Sequence, residues 1–240
     1  MLIYGKNSVY EAIKSGKPIE KIVVSPNFPK NSKILKEAKE LGIKIQIIPR
    51  KIINKLTKTP KNQGIVAYIS SIQPSSVDKI IEDTIKRKDS FGVVLDHITD
   101  IQNAGNIIRT AECFNLTGII IPKDRGFPLN ETLVKTSSGA IFHIPVAKVA
   151  NLGNLLENFK DKGGFVAGIE IGGINIENFD PVTPLIIVMG SEGHGISQRI
   201  KNICDWILTI PQYGKINSLN VSSAFAIATY IIKQKILKKL

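Results

Sequence analysis

The sequence predicts an α/β protein in which a small amino-terminal α/β domain precedes a larger domain built on a parallel sheet. Three observations support this fold class. The chain has 240 residues, and 43% of them are hydrophobic, which is enough for one or two domains with a sizeable core. Short β-branched runs alternate with segments of helical periodicity. A connector over residues 73–90, polar at its start and then amphipathic enough to predict a single helix packed on one domain, separates two parts of very different charge.

The amino-terminal third predicts a small mixed unit of helices and strands. The run KIVVS is ended by Pro26, and a second short strand is closed by Pro49. Apolar residues at helical spacing precede Gly42, a typical residue at the end of a helix. We therefore expect helices over 8–14 and 32–41, and strands over 21–25, 43–48 and 65–69.

The remainder alternates strands and helices in the order that favours a parallel sheet covered on both faces. We expect strands over 93–95, 118–121, 165–169, 185–189 and 206–210, and helices over 103–114, 129–137, 152–159 and 219–240. In such folds the ligand lies outside the carboxyl ends of the strands. The residues that follow Leu95, Met189 and Ile210 are therefore the candidate site. We place the domain boundaries at 1–72, 73–90 and 91–240.

The charge is distributed unevenly along the chain. Lys and Arg number 32 against 20 Asp and Glu, a net charge of +12. Residues 1–72 hold 14 basic and 4 acidic residues, whereas residues 91–240 hold 14 and 12. Such asymmetry indicates an anionic partner for the first domain, and nucleic acid is the usual candidate. The alternative is a solvated lysine-rich surface that binds nothing.

Several classes of protein are disfavoured by what the sequence lacks. The first residues do not resemble a signal peptide, and no apolar run approaches the ~20 residues of a spanning helix. Cys113 and Cys204 are too few for a disulfide framework, and His97, His143 and His194 are too scattered for a metal set. We expect a cytoplasmic protein without a metal.

The loop after Leu95 offers Asn103 and Arg109, six residues apart at the start of a helix. Asn103 could simply cap that helix, and Arg109 could form a surface ion pair. The functional alternative for Arg109 is to bind phosphate, because its guanidinium presents five donors in a plane.

The loop after Met189 contains Gly190, Gly193 and Gly195 within six residues. It matches neither a dinucleotide-binding fingerprint nor a P-loop, and a tight turn would account for the glycines. Glu192 among them would repel phosphate and suits a neutral or cationic ligand. The loop after Ile210 brings a dense polar set before a hydrophobic helix: Asn217, Ser218, Asn220, Ser222 and Ser223. Such groups need partners, either each other or a ligand.

Together these loops resemble the SpoU (TrmH-like) branch of the SPOUT RNA 2′-O-ribose methyltransferases. The three motifs of that family are matched in order by NAGNIIR at 103–109, IIVMGSEGHGIS at 186–197 and IPQYGKINSLNVSSAFAI at 210–227. Residues 4–13 (YGKNSVYEAI) and 62–67 (NQGIVA) resemble the additional, ribosomal-protein-like RNA-binding domain of RlmB-type members. Asn62 stands where many relatives carry histidine.

The resemblance implies a deep trefoil knot, S-adenosylmethionine as the cofactor, and a homodimer formed through the catalytic domains. It implies cofactor contacts at Gly190, Ile210 and Leu219, and RNA contacts at Lys6 and Asn7. The expected substrate is a guanosine ribose in 23S rRNA. A tRNA substrate and a non-catalytic rRNA-binding factor are the alternatives.

The resemblance also assigns the catalytic roles. Arg109 would be the central catalytic residue, with Asn103, Ser218 and Asn220 orienting the ribose and Arg109, and Glu192 holding the loops or Arg109 in place. A free arginine stays protonated, because its pKa lies above ~12. We therefore expect Arg109 to grip an RNA phosphate, and the proton of the ribose hydroxyl to pass to that phosphate or to the pair.

Overall fold

A computed structural model describes residues 1–216 and 218–240. The chain forms two compact units. The first unit comprises Met1–Gln73 and Pro128–His143, and the second comprises Pro74–Phe127 and Ile144–Leu240.

The described residues form ten strands and nine α-helices. The strands are β1 (Leu2–Tyr4), β2 (Ile19–Val24), β3 (Lys44–Ile47), β4 (Ile65–Ile69), β5 (Gly92–Leu95), β6 (Gly118–Pro122), β7 (Val146–Val149), β8 (Phe165–Asn175), β9 (Leu185–Met189) and β10 (Trp206–Thr209). The helices are α1 (Lys6–Lys14), α2 (Lys33–Glu40), α3 (Arg50–Thr57), α4 (Val77–Lys86), α5 (Ile101–Cys113), α6 (Glu131–Thr136), α7 (Leu152–Asp161), α8 (Gln198–Ile203) and α9 (Val221–Leu237).

The first unit is a four-stranded mixed sheet with helices packed against it. Its strand order is β1-β4-β2-β3, in which β4 runs antiparallel to both neighbours and β2 and β3 are parallel. A small apolar core forms where Val23, Ile53 and Val66 are buried together. Two elements, β1 and α3, were not predicted. Pro49 ends the preceding strand and also forms the N-cap of α3, so it marks a helix start as well as a strand end.

Residues 128–143 pack within the first unit, although the sequence suggests that they belong with the second domain. Helix α6 contacts β1, and the 3-10 turn that follows α6 contacts α1. His143 Nε2 lies 2.8 Å from Glu11 Oε2, and a Cβ on Gly139 would lie 2.6 Å from the Cβ of Glu11. The close approach at Gly139 therefore depends on its lack of a side chain. The boundaries 1–72, 73–90 and 91–240 stay a prediction.

The second unit is a six-stranded sheet of order β10-β8-β9-β5-β6-β7, and every pairing in it is parallel. Its central strands are buried along their whole length, as expected when helices cover both faces. The connector contains α4, whose Ile80 and Ile81 join this core together with Val94 and Val188. Segment 73–90 thus includes a helix that belongs to the core of this unit.

The predicted fold class is confirmed: the molecule is an α/β protein with a parallel sheet and a small additional α/β unit. The strands β7 and β10 flank the sheet. Strand β7 and helix α8 were not predicted because both are short and charged residues interrupt their apolar positions, Lys148 in β7 and Arg199 and Lys201 in α8. The trefoil knot stays a prediction. No helix among residues 1–216 and 218–240 is long and apolar enough to cross a membrane.

Candidate functional site

Two loops and the middle of β8 line a cavity of about 640 Å³ in the second unit. The loops are those that follow β9 and β10, as the position of ligands in parallel α/β folds predicts, whereas no residue of the loop after β5 lines the cavity. The loop after β9 lines the cavity from Met189 to Gly195, and the approach to α9 lines it from Ser218 to Val221. The expected cofactor contacts Gly190, Ile210 and Leu219 all line this cavity.

A hydrogen-bond network joins one residue from each of the three loops. Asn103 Nδ2 donates to Glu192 Oε1 at 3.0 Å, and Asn220 Nδ2 donates to the same oxygen at 2.8 Å. Asn220 Nδ2 also lies 2.9 Å from Asn103 Oδ1. The three side chains are distant in sequence, so the network fixes the loops relative to one another. This geometry brings together three of the five predicted catalytic residues.

Asn103 is available for the network because another residue caps its helix. Asp100 is the N-cap of α5, and its Oδ1 accepts a hydrogen bond from the backbone N–H of Asn103 at 2.7 Å. Asn103 therefore lies in the first turn, where it is 8% exposed. The capping role that the sequence allowed for Asn103 is wrong, because Asp100 already satisfies the helix end.

Arg109 is exposed on α5 and makes no ion pair or side-chain hydrogen bond with the described residues. Gln102, Asn106 and Cys113 are exposed at helical spacing around it, so they share one face of α5. A guanidinium held open in this way is suited to an anionic ligand.

Gly190 is required by the fold of its own loop. A Cβ on Gly190 would lie 2.1 Å from the carbonyl carbon of Gly195 and 2.3 Å from the backbone nitrogen of Ile196. The loop is held closed by two backbone hydrogen bonds between Ser191 and Gly195, at 3.1 and 2.9 Å. The missing side chain thus admits a neighbouring backbone segment, and a contact of Gly190 with a ligand stays a prediction.

The third loop carries Ser218, Leu219 and Asn220. Ser218 and Leu219 are exposed and line the cavity, whereas Asn220 is the N-cap of α9. The sequence suggested Ser218 as a possible cap, and Asn220 takes that position instead: its Oδ1 accepts from Ser222 N at 3.0 Å. Asn217, another member of the predicted polar set, lies outside the described residues.

Sequence reasoning missed two carboxylates that hold this region together. Asp96 is 1% exposed, and its oxygens contact His97 Nδ1 at 2.5 Å and the backbone N–H of Ser197 at 2.7 Å. Glu170, in β8, accepts from the backbone N–H of Ile196 at 2.9 Å and pairs with Lys201. A charged residue in the middle of the apolar run AGIEIGG was the available signal for Glu170.

The cavity lining suits a cationic nucleoside ligand such as S-adenosylmethionine. Ile169, Ile171, Ile210 and Leu219 provide apolar surface for a flat ring. Glu192 adds a carboxylate that opposes phosphate and favours positive charge, and Glu170 adds a second carboxylate that is paired with Lys201. No group of three or more His, Cys, Asp or Glu that could hold a metal ion occurs in the described part of the chain.

In the first unit, the two motifs that suggested an RNA-binding domain meet. Lys6 and Asn7 are exposed on the first turn of α1, and the backbone N–H of Lys6 donates to Gln63 Oε1 at 2.7 Å. Asn62 is fully buried, and its side chain makes hydrogen bonds to Asn54, Thr57, Thr59 and Gly64. The replacement of histidine by Asn62 therefore affects the interior of this unit.

Comparison with known proteins agrees with this fold. Residues 90–230 match the SpoU rRNA methylase family, and residues 2–75 match the RNA 2′-O ribose methyltransferase substrate-binding family. The chain belongs to the SpoU (TrmH) family of RNA methyltransferases. A TrmH family tRNA/rRNA methyltransferase of Bacillus subtilis strain 168, YacO, is 36% identical over 237 residues, covering 97% of this chain and 95% of that protein. A TrmH family relative from Staphylococcus saprophyticus is 38% identical over 98% of this chain and 96% of its own length.

Solved structures share the fold at low sequence identity. The SpoU methyltransferase AviRb of Streptomyces viridochromogenes, in complex with AdoMet, aligns with a TM-score of 0.82 at 21% identity, over 99% of this chain and 91% of AviRb. The TrmH/SpoU tRNA-modifying enzyme of A. aeolicus aligns with a TM-score of 0.56 at 26% identity, over 68% of this chain and 83% of that enzyme.

Proposed function

We propose that this protein transfers a methyl group from S-adenosylmethionine to the 2′-oxygen of a ribose in RNA, with a guanosine of 23S rRNA as the target. The observation that carries the proposal is the combination of two modules in one chain. The substrate-binding match covers residues 2–75, in a region with a net charge of +10, and the methylase match covers the residues that form the cavity. A non-catalytic RNA-binding factor would not need the joined polar network beside that cavity.

The second unit supplies the groups that this chemistry requires. S-adenosylmethionine supplies an electrophilic methyl group when it is bound, and Gly190, Ile210 and Leu219 would hold it by apolar and backbone contacts. Asn103, Glu192 and Asn220 fix the loops, so the geometry is set before RNA arrives. Such positioning contributes up to ~7–11 kcal/mol to the lowering of a barrier.

Arg109 binds the RNA phosphate next to the target ribose, and Ser218 helps to orient that ribose. Because the guanidinium stays protonated, Arg109 is a poor base by itself. The proton of the 2′-hydroxyl passes to the phosphate that Arg109 grips or to the two groups together. The exposure of Arg109 and its lack of a described ion-pair partner support this role.

The two-unit architecture favours rRNA over tRNA as the substrate. The tRNA-modifying enzyme of A. aeolicus aligns with only 68% of this chain. The additional basic unit has no evident use for an enzyme that recognises tRNA with the methylase fold alone. An RNA substrate and the presence of only two cysteines, both free, fit a cytoplasmic protein.

The homodimer would form through α9 and its neighbour α5. Helix α9 exposes Ile227, Tyr230 and Leu237 at helical spacing, with exposed fractions of 39%, 55% and 45%. Tyr230 also packs edge-on against Phe114, which follows α5. Burying these apolar side chains against a second copy would bring the Arg109 helix to the interface. Loss of the dimer in Tyr230→Glu, measured by light scattering, is the expected result.

The decisive experiment is to map 2′-O-methylation on rRNA and tRNA from cells with and without the protein. One rRNA guanosine should lose its methyl group and recover it when the wild-type chain, but not Arg109→Ala, is supplied. Loss of methylation on tRNA alone would establish the other substrate. No change in either RNA, together with no binding of S-adenosylmethionine, would favour the non-catalytic factor.

A further inference from the structure

Glu170 is the one charged side chain that β8 contributes to the cavity, and its position is set by several contacts. One carboxylate oxygen, Oε2, accepts from the backbone N–H of Ile196 at 2.9 Å. The other, Oε1, pairs with Lys201 of α8. The side chain is 22% exposed, and Glu170 lines the cavity.

The backbone at Glu170 is also fixed. Thr209 Oγ1 of the neighbouring β10 donates to the carbonyl oxygen of Glu170 at 2.6 Å and accepts from the backbone N–H of Gly173 at 2.6 Å. The pairing between β8 and β10 shifts register next to this point, between Ile207 and Leu208. The Thr209 bridge therefore holds the strand where its ladder is irregular, and the carboxylate starts from a defined position.

Gly195 brings the glycine loop close to this carboxylate. A Cβ on Gly195 would lie 3.0 Å from the carboxyl carbon and from both oxygens of Glu170. Gly195 also has a φ of +66°, a conformation that favours glycine. The loop thus packs directly on Glu170.

The two carboxylates of the cavity differ in their partners. Glu192 accepts hydrogen bonds from two neutral amides, those of Asn103 and Asn220, and has no cationic partner among the residues that the structure describes. Glu170 has Lys201 as a counter-ion, so its charge is largely compensated locally. A cationic centre therefore prefers the Glu192 side, whereas Glu170 is better suited to neutral donors. A carboxylate has about four lone-pair sites, and the described contacts use two of those of Glu170.

We propose that Glu170 recognises the sugar of the cofactor by accepting hydrogen bonds from the ribose hydroxyl groups of the bound nucleoside. Vicinal hydroxyls are neutral donors, and a carboxylate can accept from both. This inference rests on the proposed function, because it requires a nucleoside cofactor in the cavity. It makes Glu170 a specificity-determining residue for a ribonucleoside over a deoxyribonucleoside ligand.

The test measures binding of S-adenosylhomocysteine and of its 2′-deoxy and 3′-deoxy analogues to the full-length protein by calorimetry. In the wild type, removal of a hydroxyl that donates to Glu170 should weaken binding about 10- to 100-fold. In Glu170→Gln, the amide is a weaker acceptor than the carboxylate, so removal of the same hydroxyl should reduce affinity only a few-fold. Lys201→Met is the matched control: it breaks the same ion pair but keeps the carboxylate, so the penalty should persist.

Two results would overturn the proposal. One is equal affinity of the wild type for S-adenosylhomocysteine and both deoxy analogues, which needs no variant and so does not depend on how Glu170→Gln folds. The other is an unchanged hydroxyl penalty in a folded Glu170→Gln. A wild type that binds none of the three ligands would instead contradict the proposed cofactor, so the two failures are distinguishable.

Discussion

The side-chain amide of Asn220 donates to the carboxylate of Glu192 at 2.8 Å and so connects the start of α9 to the glycine loop. The same side chain caps α9, because its Oδ1 accepts from Ser222 N at 3.0 Å and from Ser223 N at 3.4 Å. Asn220 therefore caps the start of α9 with its side-chain oxygen and connects the loops of the site with its side-chain nitrogen. The two functions can be separated by substitution.

Asn220→Asp should separate them. Aspartate caps helices as well as asparagine does, so the fold should be retained. The new carboxylate cannot donate a hydrogen bond to Glu192 and repels its charge. The hydrogen bond that connects the start of α9 to the glycine loop should therefore be lost. We expect methyl transfer to fall by about 10- to 100-fold with little change in melting temperature. The control is Asn151→Asp at the N-cap of α7, which should leave turnover unchanged. Normal turnover in Asn220→Asp would show that the network is only structural.

Arg109→Ala should abolish turnover while leaving affinity for the cofactor unchanged. The side chain is exposed and does not line the cavity, so its removal creates no void and exposes no buried group. Arg109→Lys should also be strongly impaired, because a lysine cannot reproduce the planar fork. Single-turnover rates and calorimetry with S-adenosylmethionine separate the two effects. Arg199→Ala, on the same unit, is the control for loss of positive charge. Near-normal rates in both Arg109 variants would contradict the catalytic assignment.

The three loops of the site could be found from sequence because parallel strands deliver their following residues to one edge of the sheet. The same principle explains why Asn103, Glu192 and Asn220 lie close together. It does not predict which of their side chains form hydrogen bonds with one another. Glu170 directly follows the predicted strand 165–169, and it was missed because a single charge in an apolar run, without further polar residues beside it, matches no motif. Asp96 was missed because a buried acid gives the same sequence signal as an exposed one.

The fold was predicted best where runs are long and apolar. Strand β9 is buried throughout and was predicted with its observed bounds, as was β4. Helix α3 was missed because it has only eight residues, and three of them are basic, which leaves too short an apolar pattern to indicate a helix. The packing of residues 128–143 in the first unit depends on contacts far apart in sequence, such as Glu11 with His143, and local patterns carry no information about them.

Gly190→Ala should disrupt the glycine loop. The added Cβ would lie 2.1 Å from backbone of Gly195, so the loop must shift, and flexible side chains cannot relieve the contact. We expect at least a tenfold loss of cofactor affinity and a destabilisation of about 1–3 kcal/mol. Gly214→Ala is the matched control, because nothing lies within 4 Å of its Cβ. Binding by Gly190→Ala equal to that of Gly214→Ala would show that the loop does not shape the cavity.

Cys204 should be unreactive in the native protein. Burial, and next the Asp205 carboxylate, raise the pKa of its thiol from 9.0 to about 12. At pH 8 the thiolate fraction is then about a thousandfold below that of an ordinary thiol. In a Cys113→Ser background, alkylation should appear only with denaturant. The pKa of Cys204 is higher in the folded than in the unfolded state, so the folded state favours the neutral thiol. The stability that comes from burying this thiol is therefore fully present below pH 9.0 and is lost as the pH rises towards 12. Rapid native labelling at pH 8 would contradict this burial.

The basic surface of the first unit should govern the salt dependence of RNA binding. Lys51, Lys55, Lys58 and Lys61 are exposed on and after α3. Each lysine that contacts a phosphate releases counterions. Each substitution by glutamine should therefore reduce the magnitude of the negative slope of log K, the association constant, against log salt by about one at most. Lys162→Gln, exposed on the second unit, should leave the slope unchanged. Affinities for an rRNA fragment over a salt series provide the measurement. A quadruple variant with the wild-type slope would mean that this positive charge is only a solvated surface.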